Sequence, residues 1–362
     1  VPGVAISQSG SIGSQTQLRM RGAEANQVLV LIDGIEANDP AGNAEFAFEN
    51  LGTWDIDRIE VVRGAQSGLW GSDALAGVIN VITRQPDETL SVSGFGEGGS
   101  FGTWSAGTRI SGAVLGTRAG LSVSSIDSDG SNSSRSGGED DGYENRTANL
   151  SVLATPTDNL DLAFTGRYSD IHKEFDSTDW LTGLPADTGD ETDMSLGYFG
   201  ATATLGLLED RWIQSLRTAW TRSDTDNSNE FGANGSTDAD RYGVYYQSTY
   251  QFTPASDSSA GNSLTLALDH EREDFSQRGA VAPWGDPNQD ESDRNTAVVA
   301  EGLFSPLSQV SISLSARHDD NSSFDNINTY RATTAWTDAT TGTRLHAALG
   351  RGQKAPTFIE RY

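Results

Sequence analysis

Val310-Ser311-Ile312-Ser313-Leu314-Ser315-Ala316 alternates apolar and small polar residues without a break. Successive side chains of an extended strand point to opposite faces, so this run puts its apolar set on one face and its serines on the other. The same period recurs in both directions. Leu121 and Val123 alternate with serines, and Leu150, Val152 and Ala154 follow. Leu160, Leu162, Phe164 and Tyr168 make another set, as do Val244, Tyr246, Tyr250 and Phe252. Leu264, Leu266 and Leu268, then Tyr330, Ala332 and Trp336, then Leu345, Ala347 and Leu349 complete the pattern. From Leu90 onward about 13 such segments can be counted, each near the roughly ten residues that a tilted transmembrane β-strand needs.

The connections alternate in length. Short ones fall at Gly112–Gly116, Thr155–Asn159, Leu207–Asp210, Ser305–Gln309 and Asp338–Gly342. Long ones span about 127–146, 169–193, 223–242 and 272–294, with a shorter one at 319–328. A transmembrane barrel makes this pattern, with tight turns on one side and long loops on the other, whereas a soluble sandwich has no reason to keep it. The four longest loops hold 25 of the chain's 51 acidic residues, which concentrates negative charge on one face. Trp104, Tyr168, Trp212, Trp220 and Trp336 fall near strand ends, where interfacial aromatic girdles are expected.

Composition excludes several functions. The formal net charge of −27 argues against a nucleic-acid partner, which needs a basic face. With no cysteine there is no disulfide scaffold, thiolate metal site or cysteine nucleophile. No run reaches the roughly 18 apolar residues of a transmembrane helix, the longest being Val28–Ile32. Gly94-Phe95-Gly96-Glu97-Gly98-Gly99 spells a dinucleotide-binding pattern, but it falls between strands with no helix to hold a pyrophosphate. His172, His270, His318 and His346 are scattered, and Ser67 lacks nucleophile-elbow spacing, so no catalytic constellation emerges and a non-enzymatic role is expected.

Residues 1–86 read differently, as a compact mixed α/β unit with short β-rich runs at Val28–Ile32 and Arg58–Val62 and a glycine-punctuated segment ending in Val78–Ile82. Here the residues carry a family resemblance. Leu18-Arg19-Met20-Arg21-Gly22 followed by Val28–Gly34, and above all the stretch from Ile59 to Thr83, resemble the plug domain of TonB-dependent outer-membrane receptors. Ala65, Trp70 and Ala76 depart from the usual pattern there without removing a charge. The segment from Gly350 through Lys354, Pro356 and Phe358 to Tyr362 resembles that family's mid-barrel motif. The resemblance implies a mostly β fold: a 22-stranded antiparallel barrel, only about 13 of whose strands lie here, with an N-terminal α/β plug in its lumen. It divides the chain into a plug at 1–86 and the N-terminal part of the barrel at 87–362. Lipid tolerates no open sheet edge, so the chain is expected to be a fragment, with the signal peptide, the TonB box and the C-terminal strands outside it.

Among family members, the cobalamin transporters look most similar, on Gln27–Gly34, Gly71-Ser72-Asp73-Ala74 and Ala316–Phe324. The resemblance implies active uptake of cobalamin or, alternatively, an iron–siderophore, across the outer membrane of a Gram-negative bacterium. Its implied partners are TonB with the inner-membrane energising complex and the surrounding lipid and lipopolysaccharide. A passive porin or a calcium-dependent adhesin is the reading from another class, and the plug signature argues against both.

Three sets of residues are candidates for function. Arg21 and Arg63 resemble plug arginines that face barrel glutamates, and would form a polar latch. Asn38, Asp39, Asn43 and Phe46 lie in a turn-rich plug segment that faces the ligand in the family. Asp127, Asp129, Glu139, Asp140, Asp141, Glu144, Asp176 and Asp179 offer hard oxygen ligands for Ca2+, assembled from two loops because no EF-hand spacing is present. The cobalamin family binds calcium with acidic outer loops, and the resemblance carries that expectation here.

Overall fold

The computed structural model describes residues 2–134, 137–179, 181–253, 261–283, 285–338 and 340–361. Tyr362, which ends the second motif, lies outside these residues, as do residues 135, 136, 180 and 284 of the long connections and 339 of a short one.

The N-terminal unit is built on a small four-stranded sheet. A hairpin of β1 (Val4–Gln8) and β2 (Thr16–Met20) precedes it. The sheet contains β3 (Val28–Ile32), β4 (Ile35–Glu36), β5 (Ile56–Arg63) and β6 (Gly77–Thr83), ordered β4-β3-β6-β5. A single helical turn, α1 (Ser67–Trp70), lies between β5 and β6. β3 pairs in parallel with β6 and is buried at all five positions, which suits an unbroken apolar run covered on both faces. The turn from β3 to β4 is made by Asp33 and Gly34, both with positive φ (50° and 81°), the tight hairpin turn that matches strand twist. The Asp33 carboxylate also accepts hydrogen bonds from the backbone N–H and hydroxyl of Thr83 (2.9 and 2.7 Å), tying the turn to the end of β6.

The second unit is a single antiparallel sheet of 13 strands in sequence order. Its strands are β7 (Ser91–Gly98), β8 (Trp104–Val114), β9 (Thr117–Ser128), β10 (Tyr143–Thr157) and β11 (Leu160–Phe175). β12 (Asp190–Leu207), β13 (Trp212–Asn229), β14 (Gly232–Thr253), β15 (Asn262–Gly279) and β16 (Gln289–Leu307) follow. β17 (Val310–Asn321), β18 (Ile327–Asp338) and β19 (Thr343–Arg351) close the order. The count agrees with the sequence pattern, but the alternation of connection lengths fails between β13 and β14, which residues 230 and 231 alone join. β7 and β19 are the sheet's two open edges. The glycine-rich segment at 94–98 belongs to β7, which leaves no phosphate-binding loop there.

Two long-loop expectations are corrected, and one of them, 272–294, shrinks to 280–288 because β15 runs to Gly279 and β16 starts at Gln289. The segment 223–242 is no loop: β13 runs to Asn229 and β14 starts at Gly232, so most of it is strand that continues past the band of apolar residues. Its alternation is polar on both faces, so the apolar period that marks strands elsewhere vanishes there.

The sheet wraps the N-terminal unit with its polar face inward. On β17, Ser315, Arg317 and Asp319 are buried while Leu314 is 48% exposed. Leu121, Leu150, Leu162, Leu266 and Val298 are likewise exposed. Apolar side chains that face outward in register across many strands fit a hydrocarbon solvent. Trp104, Tyr168, Trp212, Trp220 and Trp336 all point outward. Trp212 and Trp220 stand eight residues apart on β13, roughly 26 Å along the strand at the usual rise, which spans about 20 Å of the ~25 Å apolar band at the usual tilt of such strands. Past Trp220 the outward side chains become Arg222, Asp224, Asp238 and Asp240, with Arg222 paired to all three acids. No helix among the described residues is long and apolar enough to cross a membrane, which says nothing of strands.

Candidate functional site

On the long-connection side, plug loops 9–16 and 39–49 and the outer ends of β11–β13 enclose a cavity of about 580 Å³. Its lining is acidic: Asp39, Glu45, Glu49, Asp141, Glu174 and Asp176 face one cation among the described residues, Lys173. Of the four plug residues expected to meet ligand, Asp39 and Phe46 line this cavity. Asp39 braces its own turn by accepting a hydrogen bond from Ala41 N–H (2.9 Å). Burial raises its pKa, against hydrogen bonds that lower it. Phe46 is mostly buried, edge-on to Phe48 at 4.8 Å. Asn43 accepts a hydrogen bond from the Thr357 hydroxyl (2.8 Å). Asn38 is a correction. Its amide is fully buried and spent on plug backbone, accepting from Val30 N–H and donating to the Val28 and Ala44 carbonyls. A side chain so satisfied holds the loop's shape and offers nothing to a ligand.

The acidic residues of the two loops at 129–142 and 176–189 divide. Glu139 and Asp176 come together with Asp187, each offering an oxygen within 4.8 Å of the others. Burial, then the charges of Asp141, Asp176, Glu174 and Asp187, push the Glu139 carboxyl up. The Asp141 carboxyl is pushed up too, by burial first and by Asp176 and Glu174 after opposing hydrogen bonds from Ser133. One buried oxygen of Asp141 and one of Asp176 have no hydrogen-bond partner among the described residues. Asp140 instead accepts from Asn132 N–H, and Asp179 caps the turn at Leu181 and Thr182. Asp127 and Glu144 are a cross-strand pair on β9 and β10, and Glu144 binds Arg146 (2.7 Å). Asp129 follows β9, its N–H bonded to the Phe101 carbonyl. Asp187 was missed because an acid between Ala186 and Thr188 in a polar loop carries no signal of its own.

The plug–barrel boundary holds ion pairs of the opposite polarity to the expected latch. Arg21 and Arg63 are exposed, form no ion pair among the described residues, and Arg63 donates to the Pro2 carbonyl (2.7 Å). Across the boundary the plug supplies acids and the barrel cations. Asp55 meets Arg109 (2.6 Å), both about 5% exposed, and also accepts from Ser122. Glu49 meets Lys173 (3.4 Å), and Asp73 meets Lys354 (2.6 Å). Glu36 contacts Arg241 (3.2 Å), which also binds Glu273 (2.6 Å) and the Asn38 carbonyl (2.8 Å). Burial drives the Glu36 carboxyl well above its usual range despite Arg241. Burial acts the same way on Asp73, but Lys354, Arg241 and a hydrogen bond from Glu36 overcome it and bring Asp73 to about 2. Burial and neighbouring charges therefore push the two carboxyls in opposite directions. Sequence reasoning missed these partners, yet the signal was there. Arg109, Arg241 and Arg317 sit in strands on the phase opposite the apolar set, and a cation inside a barrel needs an acid.

Residues 1–78 match the TonB-dependent Receptor Plug Domain, and residues 84–362 match the TonB dependent receptor-like β-barrel. The chain is 29% identical over its whole length to the vitamin B12 transporter BtuB of Photobacterium profundum, and covers 56% of that relative. It is 27% identical to the vitamin B12 transporter BtuB of Vibrio vulnificus (strain CMCP6), covering 57% of it. Among solved structures, the siderophore receptor PirA of Acinetobacter baumannii has a TM-score of 0.79 at 15% identity, matching 99% of this chain and 58% of that one. The ferric enterobactin receptor PfeA of Pseudomonas aeruginosa scores 0.77 at 16%, with 99% and 59% covered. At these identities the structures establish the fold alone. Together with the lipid-facing sheet and the plug inside it, the family matches establish that the chain belongs to the TonB-dependent receptors, proteins of the Gram-negative outer membrane.

Proposed function

We propose that the chain is the plug and adjoining barrel wall of a TonB-dependent transporter that takes up cobalamin, with TonB as its energising partner. The observation that carries this reading is the acid-rich outer cavity, where six carboxylates face one lysine among the described residues. Such a lining repels anionic siderophores and admits a neutral or cationic ligand. The similarity to vitamin B12 transporters along the whole chain supports the same choice. Calcium held by Glu139, Asp176 and Asp187 would relieve their mutual repulsion and order the two loops over the cavity. Two unpartnered buried oxygens nearby, on Asp141 and Asp176, fit a cation with more than three ligands. Protons and calcium compete for the Glu139 and Asp141 carboxyls, whose pKa is raised, so calcium binding weakens as pH falls through their titration.

Cyanocobalamin binding to the full-length protein in detergent, measured with calcium and then with chelator, tests both parts. Tight binding that weakens on the order of tenfold or more on chelation, and likewise in Asp187→Asn, is the expected result. Absence of binding in either condition would overturn the cobalamin assignment. A second reading, a ferric-siderophore receptor, is favoured by the fold shared with PirA and PfeA, and ferric enterobactin is the next ligand to try.

A further inference from the structure

The plug is not held evenly by the wall around it. Toward β8–β12 it is fastened. Asp55 is bound by Arg109 and Ser122, and Asn145 donates to the Asn50 carbonyl (3.1 Å). A void there, between Ile35, Asp55, Arg167 and Tyr198, holds only about 10 Å³. Toward β13–β17 its contacts are interrupted by open space. A cavity of about 360 Å³ lies between β3, the Asp33–Gly34 turn and the inner faces of β13–β16. Above it is a narrow space of about 90 Å³, which shares Glu36, Trp70, Glu271 and Arg317 with the larger cavity below. The outer cavity of about 580 Å³ begins on the far side of Asp39 and Pro40. Two roomy spaces are thus separated by a constriction at the contact of Glu36 with Arg241.

The element that makes the constriction is the shortest strand of the plug sheet. β4 has two residues, lies at the edge of the plug sheet, and pairs with β3 only at Leu31–Glu36 and Ile32–Ile35. The opposite edge, β5, has eight residues. β4 is steadied by the barrel, through Arg217 on the Gly34 carbonyl, Thr221 on the Glu36 carbonyl and Arg241 on the Glu36 side chain.

We infer that the ligand crosses along the β13–β17 wall, with the Glu36–Arg241 contact on β4 as the gate and the lower cavity as the chamber beyond it. The inference rests on the transport reading and adds the route. The chamber's lining continues the selection made outside: Asp269, Glu271 and Glu301 outnumber Arg217 and Arg317, so it passes neutral or cationic, hydrogen-bonding ligands and disfavours polyanions. The β8–β12 wall stays closed during transport.

Two arms test the route in cells carrying the full-length protein at matched surface levels. The first needs no knowledge of the ligand. Glu36→Ala opens the gate and raises vancomycin entry severalfold, and adding Ala267→Trp, which narrows the chamber, lowers entry toward the parental level. A leak undiminished by Ala267→Trp would overturn the route. In the second arm, Ala267→Trp lowers cyanocobalamin uptake at least tenfold with detergent binding unchanged, and uptake at the parental rate would also overturn it. The chain has no cysteine, so Asn50→Cys with Asn145→Cys can be bridged cleanly by a short reducible bis-thiosulfonate. Uptake survives that bridge if the β8–β12 wall stays closed, and uptake lost on bridging and regained on reduction counts against it. A parental protein that takes up no cyanocobalamin removes the ligand assignment, while the vancomycin arm still decides the route.

Discussion

The plug and the barrel wall obey opposite burial rules within one chain. In the plug, Val28, Val30, Ile32, Ile79 and Val81 form an apolar core, and the sheet that carries them reads as an ordinary protein interior. In the wall, Ser122, Asn149, Thr221, Arg241 and Arg317 are buried, while Leu121, Leu150, Leu264 and Val298 are exposed. The amino acids and the strand period are the same, and the difference is the solvent. The wall's outer face meets hydrocarbon, which welcomes leucine, so its polar residues turn inward to meet the plug. The polar surface of the plug is in turn satisfied by side chains of the wall. The plug is therefore held by matched charges and hydrogen bonds, which can be exchanged for water when it moves, together with an apolar contact in which Ile171, Leu196 and Tyr198 of the wall join the plug core.

The largest effect comes from unmatching one of those charges. Asp55→Ala leaves Arg109 buried without a counterion, and such a loss costs about 3–5 kcal/mol. The urea midpoint of plug unfolding in detergent should fall accordingly. Restoring it with Asp55→Ala plus Arg109→Leu would show that the isolated charge, rather than the lost pair, is the cost. A shift near zero for Asp55→Ala would break the comparison at its strongest point.

Next in size is a charge on the outward face. Leu266, 52% exposed on β15 between Ser248 and Ala300, sits in the apolar band. Leu266→Arg should cost about 2–4 kcal/mol, measured as refolding free energy into lipid vesicles. The same substitution on a soluble sheet's exposed face would cost almost nothing, so an unchanged free energy would mean that this face meets water.

How much of this was legible in the sequence follows from the same contrast. The barrel strands were legible because Val310–Ala316 and its relatives keep period 2 through the membrane, where lipid enforces it. The period fails where lipid ends, and that is why 223–242 read as a loop although β13 and β14 run through it. Asp33-Gly34 was legible as a motif, and the structure gives its reason in the hairpin turn and the Thr83 anchor. The ion pairs were not, because Asp55 and Arg109, or Glu36 and Arg241, are far apart in sequence and meet only once the sheet wraps the plug. Asn38 misled for a related reason. An asparagine in a turn-rich loop looks available, and only the fold shows its amide already spent on Val28, Val30 and Ala44.

The smallest expected effect isolates environment from chemistry. Arg222 makes ion pairs like Arg109's, with Asp238 at 2.6 Å and with Asp224 and Asp240 at 3.2 Å, but 42% of its side chain is exposed. It lies outward, beyond Trp220, where water and salt screen the charges. Exposed pairs of this kind contribute roughly 0.2–1 kcal/mol, so Arg222→Gln should shift the refolding free energy by less than about 1 kcal/mol, with the difference shrinking as salt is added. If Arg222→Gln instead matched Asp55→Ala, the aromatic line through Trp220 would not mark the edge of the apolar band. The outer extension of β13 and β14 would then be embedded rather than free of the membrane.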